Sequence, residues 1–178
     1  SSRGTQSSQT YTKTTSEYSI HLTGKKPPFT REAPAYVKYK GKHYLFTSGT
    51  TGYFPNKTIV YTFDSFHGEY KEVGNPFLND ENDTSNNSQI SSILKTKDGK
   101  YFALADRWLL SEVSKEEVIE KEKEFINFFK DKTFKNTNMK KYKLTKKNIS
   151  YPLNSSQSTY VWFEINFSDK KPRLEKYK

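Results

Sequence analysis

The chain has 178 residues, of which 32% are hydrophobic and 16% aromatic, with a formal net charge of +10 and no cysteine. That length suits one domain with a real core, but the apolar fraction is low for a free-standing globule, so aromatic side chains must supply much of the buried area. The lack of cysteine excludes a disulfide framework and thiolate metal sites, and no apolar run approaches the roughly 20 residues of a membrane span.

In chain order, residues 1–16 are mostly Ser and Thr without apolar periodicity and read as a tail or an edge strand. Tyr18, Ile20 and Leu22 alternate as a strand does, and Gly24 and Pro27-Pro28 stop them. From there to about residue 106 the pattern is β. Ala35, Val37 and Tyr39 share one face, Gly41 centres a turn, and Tyr44 and Phe46 lead the return strand, with Glu32 at the mouth of this hairpin over 35–47. A strand near 58–63, a Gly68 turn, a short strand over 70–73 and an Asn/Asp-rich loop over 79–88 lead into a strand over 89–95. Asp98-Gly99 is a hairpin turn signal, and Tyr101–Ala105 forms its return strand.

The period then changes. Ser114 followed by Glu117 makes a capping box, and Val118, Ile119, Phe125, Ile126 and Phe129, with Glu122 among them, lie on one face of a helix spanning roughly 115–130. Strand alternation resumes at Thr159, and a short polar return follows Lys170-Lys171-Pro172. The expected organisation is a tail at 1–16, a β unit at 17–110, a helical and lysine-rich insertion at 111–158 and closing strands at 159–178. Repeated antiparallel strands with one helical excursion point to an all-β propeller or sandwich.

The surplus charge gathers in residues 130–147, from Lys130 to Lys147, with no nucleic-acid signature beside it, so a solvated loop is expected and nucleic acid is not. His21, His43 and His67 show no ligand spacing, and Asp80, Glu81 and Asp83 lack EF-hand spacing and read as a solvated turn. No metal or cofactor is expected. Six Asn-x-Ser/Thr sequons, at Asn56, Asn82, Asn86, Asn148, Asn154 and Asn166, fit a glycoprotein of the secretory or lysosomal route and fit equally the chance yield of an Asn/Ser/Thr-rich chain. There is no signal-peptide core, so a soluble chain whose leader has been removed is expected.

Five pieces stand in a telling order: Arg31-Glu32-Ala33-Pro34-Ala35, the run from Gly41 to Tyr53, Ser88-Gln89, Ala105-Asp106-Arg107-Trp108 and Tyr160-Val161-Trp162. Together they resemble the galactan-cleaving branch of glycoside hydrolase family 43, over about residues 29–108 and 159–175, with 111–158 as an insertion. The resemblance implies a five-bladed β-propeller of which this chain holds about the last two blades, and inverting hydrolysis of β-1,3-linked galactan. It implies Glu32 as the general acid that protonates the departing sugar oxygen. Such an acid needs a raised pKa, which partial burial supplies, and a second group across the ring to position water. Gln89 matches that second place, although a neutral amide orients water far better than it takes a proton.

Thr50, Thr51 and Tyr53 resemble the loop beside the sugar, with hydroxyls for its OH groups and a ring for its apolar face. Arg107 and Trp108 match a segment at the ligand site. Each has a plainer alternative: Glu32 pairing with Arg31, the threonines bonding their own turn, Arg107 pairing with a carboxylate and Trp108 in the core. The missing blades imply a second polypeptide, as in a split or processed enzyme that acts on an oligo- or polysaccharide. The competing reading is a non-catalytic propeller-derived module that binds glycan or protein through the 111–158 insertion.

Overall fold

The computed structural model describes residues 2–7, 14–24, 30–108, 112–130, 155–167 and 171–176. Two four-stranded antiparallel sheets form the body. Sheet one runs β3 (Glu32–Tyr39), β4 (Lys42–Ser48), β5 (Ile59–Phe63), β6 (Lys71–Gly74). Sheet two runs β7 (Gln89–Lys95), β8 (Tyr101–Arg107), β9 (Thr159–Asn166), β10 (Arg173–Lys176). In both, each strand pairs with the next in sequence, which is the meander of a propeller blade.

The turns follow from residue type. Lys40 and Gly41 both take positive φ, 45° and 84°, the left-handed pair whose twist matches flanking antiparallel strands. Gly99, at φ 87°, closes the β7–β8 turn, where the Thr96 N–H donates to Lys100 O at 2.8 Å. Strand bounds differ from the sequence reading by a residue or two at β5 and β6 and extend β8 to Arg107.

Ahead of the sheets, β1 (Ser2–Ser7) pairs with β2 (Thr14–His21) as a separate two-stranded hairpin. Leu22 falls outside β2 at φ 56°. The hairpin is anchored at the far face of sheet one: the His21 ring stacks on Tyr70 at 4.0 Å, and Ser19 Oγ lies 2.6 Å from His21 Nε2 and 2.9 Å from His67 Nδ1. His43, Tyr36, Phe63 and Phe66 fill the same face, so two histidines expected to lie apart are joined through one serine.

The main core lies between the sheets. Ala35, Val37, Tyr44, Phe46 and Val60 of sheet one form a single buried cluster with Ile90, Ala103, Ala105, Val161, Phe163 and Ile165 of sheet two. β4 is buried on both faces from His43 to Ser48. The connection between sheets runs beside β10, where Leu174 N–H donates to Pro76 O at 3.0 Å and Phe77 packs edge-on against Phe163.

The helix, α1 (Lys115–Lys130), lies between β8 and β9. Its capping box forms: Glu117 N–H donates to Ser114 Oγ at 3.2 Å and Ser114 N–H to Glu117 Oε2 at 2.8 Å. Val113, just before the cap, is buried with Val118 one turn later, the pairing of a hydrophobic staple, and both join Phe54 in a second small cluster. The first turn of α1 therefore packs on the loop after β4, while Ile119 is 42% exposed. The side chains of Phe125 and Phe129, and the lysine-rich stretch beyond Lys130, lie outside the described residues. No described helix is long and apolar enough to cross a membrane.

Replacing the cap, Ser114→Ala, should lower unfolding free energy by about 1 kcal/mol, read as a shift of the urea midpoint at unchanged slope.

Candidate active site

Glu32 is the first residue of β3 and Gln89 the first of β7, the adjoining strands of the two sheets. Glu32 pairs in register with Ser48 at the end of β4, and a bulge follows it. Gln89 reaches across from the other sheet: its Nε2 donates to Ser48 Oγ at 2.7 Å and to Glu32 Oε1 at 3.3 Å. Next to Glu32, Ala33 holds φ at 47°. For a residue with a Cβ that conformation costs about 1–2 kcal/mol, and such strain gathers at functional sites.

Arg31 turns the other way. Its Nε donates to Thr47 Oγ1 at 3.1 Å, and its Nη2 to Thr47 O at 2.9 Å and Lys57 O at 3.0 Å. Burial holds this guanidinium below the usual arginine range. The plainer reading of Glu32 as the ion-pair partner of Arg31 is thus overturned, and among the described residues no salt bridge engages Glu32.

Two loops flank this pair. In the loop after β4, Asn56 is the hub: its Oδ1 accepts from Gly49 N–H at 2.6 Å, and its Nδ2 donates to Thr51 Oγ1 at 2.6 Å and Gly49 O at 3.2 Å. Thr51 Oγ1 in turn donates to Phe54 O at 2.7 Å. Thr51 is therefore buried and engaged within its own turn, the plainer of the two readings the sequence left open for it. The same bonds correct the sequon reading at Asn56, which is 6% exposed and uses the nitrogen a glycan would need. Asn82 and Asn166 are exposed; Asn148 and Asn154 lie outside the described residues.

The second loop, before β7, is wound by carboxylate capping. Asp80 Oδ1 accepts from Thr84 N–H and Oγ1, both at 3.0 Å, and Oδ2 from Ser85 N–H at 2.6 Å. Asp83 pairs with Lys57 at 2.9 Å. These acids hold the loop itself, and the described residues contain no group of three or more His, Cys, Asp or Glu able to hold a metal. Asp83, Ser85, Asn86 and Asn87 all take left-handed φ, between 53° and 58°. Ser85 then ties the loops together: its Oγ donates to Asn56 O at 2.7 Å, accepts from Thr58 N–H at 2.8 Å, and lies 2.7 Å from Thr58 Oγ1.

Between the loops lies a shallow, open cleft lined by Ser48, Tyr53, Phe54, Asn56, Asn87, Ser88, Gln89 and Trp108 among others. Tyr53 is 57% exposed and meets Trp108 edge to face at 5.3 Å. Of the expected site residues, Gln89, Tyr53 and Trp108 line the cleft; Glu32 is not among its lining residues and touches one of them, Gln89, at 3.3 Å. Thr50 and Arg107 do not line it. Arg107 Nη2 donates to Asn86 O at 2.9 Å, while Arg107 Nε and Thr50 Oγ1 are buried without a hydrogen-bond partner. Ser48 and Ser85 do not stand out in the sequence as site residues, and Asn56 does so only as a sequon, since a lone Ser or Asn at a strand end or in a polar loop carries no distinguishing signal.

Protein-family models give no match to this sequence, and the curated proteins give none. Solved structures do. A family 43 β-1,3-galactosidase, solved with galactodeoxynojirimycin, superposes with a TM-score of 0.63 at 25% identity, over 97% of this chain and 37% of its own. The chain thus shares part of the fold of family 43 β-1,3-galactosidases. A second family 43 β-1,3-galactosidase gives 0.65 at 19% identity, over 98% of this chain and 28% of its own. An exo-β-1,3-galactanase from Phanerochaete chrysosporium, solved with β-1,3-galactotriose, gives 0.58 at 17% identity, over 96% and 28%. The match to the family 43 fold thus spans nearly the whole chain, beyond 29–108 and 159–175. The chain in turn spans about a third of these relatives' length.

Ser85→Ala should destabilise the fold by on the order of 2 kcal/mol, because a buried N–H and a buried C=O lose their partner. Ser85→Gly, which relaxes the left-handed backbone but also lacks the hydroxyl, should not restore stability in the same urea titration.

Proposed function

We propose that this chain is the acid-bearing sector of a β-1,3-galactan hydrolase, completed by further sheets on the rest of a longer protein or on a second polypeptide. One observation carries the reading: a carboxylate free of ion pairs stands at a strained strand start, held by an amide that floors a cleft with an exposed tyrosine. Glu32 gives its proton to the leaving sugar oxygen. Tyr53, supported edge-on by Trp108, offers an aromatic face to the apolar side of a pyranose ring. The galactosidases that share the fold supply the substrate class.

Inversion places a constraint on Gln89. Its 3.3 Å contact with Glu32 is far shorter than the roughly 6.5–9.5 Å between the two groups of an inverting pair. Sugar and water do not fit between them as they stand, so bound substrate must part the amide from the carboxyl. Gln89 then orients the attacking water through its carbonyl oxygen; as the water oxygen bonds to the anomeric carbon and the glycosidic bond breaks, the proton it sheds passes to solvent, from which Glu32 is reprotonated.

The far face of sheet two supports the need for further sheets: Tyr160 and Trp162 are 72% and 44% exposed there, a surface that suits a neighbouring blade. The binding-module alternative, by contrast, loses part of its contact surface, because Val118 is buried against Val113 and Phe54. Exposed sequons at Asn82 and Asn166 are compatible with a secretory route.

Incubation with β-1,3-galactotriose should release galactose, and Glu32→Gln should cut the rate at least about 100-fold, measured by chromatography of the products. Release that persists unchanged in the variant overturns the acid assignment. A wild-type chain that neither cleaves nor binds the trisaccharide, alone or in the longer protein, overturns the proposal.

A further inference from the structure

Ser48 lies beside both the acid and the Gln89 amide. We infer that it is the positioning residue of the Gln89 amide, deciding which of its two polar ends faces the cleft; its role in turnover rests on the hydrolase reading above. Ser48 is 4% exposed and sits in register with Glu32 across β3 and β4, so one backbone pairing sets both groups side by side. Its hydroxyl proton points to Gly49 O at 3.3 Å, which leaves its lone pairs to accept from Gln89 Nε2 at 2.7 Å. The second Nε2 proton goes to Glu32. Both donors of the amide are thereby engaged, and the carbonyl oxygen is the end left for the cleft, an acceptor for the O–H of water or sugar.

The reverse orientation is disfavoured twice. It turns both amide N–H donors away from the Ser48 and Glu32 oxygens that accept them, and it requires the Ser48 proton to leave Gly49. The two bonds also differ in strength, since 2.7 Å is short and 3.3 Å is long for an N–H···O bond. When substrate separates the amide from Glu32, the bond to Ser48 persists, and Gln89 pivots about it with its carbonyl still aimed at the cleft.

Side-chain amide hydrogen exchange in the full 15N-labelled chain tests this, with the Gln89 resonances assigned by their loss in Gln89→Met and the exposed Gln157 as internal reference. At least one Gln89 proton should exchange about tenfold or more slowly than those of Gln157. Ser48→Ala should abolish that slowing, and Ser48→Thr should retain it, with backbone shifts away from 48 and 89 unchanged. Gln89 exchanging as fast as Gln157 in the wild type, or an unaltered rate in Ser48→Ala, overturns the inference. If Ser48→Ala fails to fold, the wild-type and Ser48→Thr rates still decide it. In turnover, Ser48→Ala should lower kcat about tenfold with KM within about twofold, and Ser48→Thr should recover it; a change confined to KM overturns the role in the reaction. Turnover retained by Glu32→Gln removes the hydrolase reading, while the exchange rates judge the amide separately.

Discussion

The Ser85 hydroxyl is the point on which the site geometry turns. It has one proton and two lone pairs, and it uses all three: the proton goes to Asn56 O, so Thr58 must donate both its N–H and its hydroxyl. The loop that leads into sheet two is thus pinned to the loop that leads into β5. Gln89 follows four residues later, and the Asn56 hub that carries the Tyr53 turn precedes it. Both walls of the cleft are set from one buried atom. The run of left-handed residues at 85–87 shows how tightly the chain must curl to deliver that hydroxyl and still enter β7 in register.

A second constraint separates the two charges at the start of β3. Successive side chains of extended backbone point to opposite sides, so adjacent Arg31 and Glu32 are directed apart. Arg31 is buried among neutral oxygens, where it clamps β4 to the start of β5. The carboxylate is left to a neutral amide instead of a cation. Acid–base chemistry asks for this division, since a carboxyl locked to a guanidinium is held ionised and gives up its role as a proton donor.

The two sheets bury one face each against the other. On its far face sheet one carries the aromatic and histidine cluster beside the β1–β2 hairpin, where Tyr36 and Phe66 stay 40% and 48% exposed. Sheet two buries one face and leaves Tyr160 and Trp162 exposed on the other. Both sheets thus keep large aromatic side chains exposed on their outer faces. The first turn of the helix braces the Phe54 end of the loop after β4, close to the tyrosine that lines the cleft.

Much of this was legible along the chain. Strand alternation, the Gly41 and Gly99 turns and the Ser114–Glu117 capping box each depend on residues within a few positions of one another, and each stands where the local pattern puts it. Sequence determined that much because near-neighbour sterics and hydrogen bonds act before any fold exists. The placing of Glu32 beside Gln89, 57 residues apart, came from motif order and a resemblance, since no spacing rule implies it. The fates of Asn56 and Ser48 were hidden, and so was the pairing of the Ser/Thr-rich residues 2–7 with β2. A hydroxyl beside a glycine reads alike whether it meets a sugar or an asparagine. Only the angle and offset between two packed sheets decided which polar groups face one another, because hydrogen bonds between distant residues form only after the core has fixed that geometry.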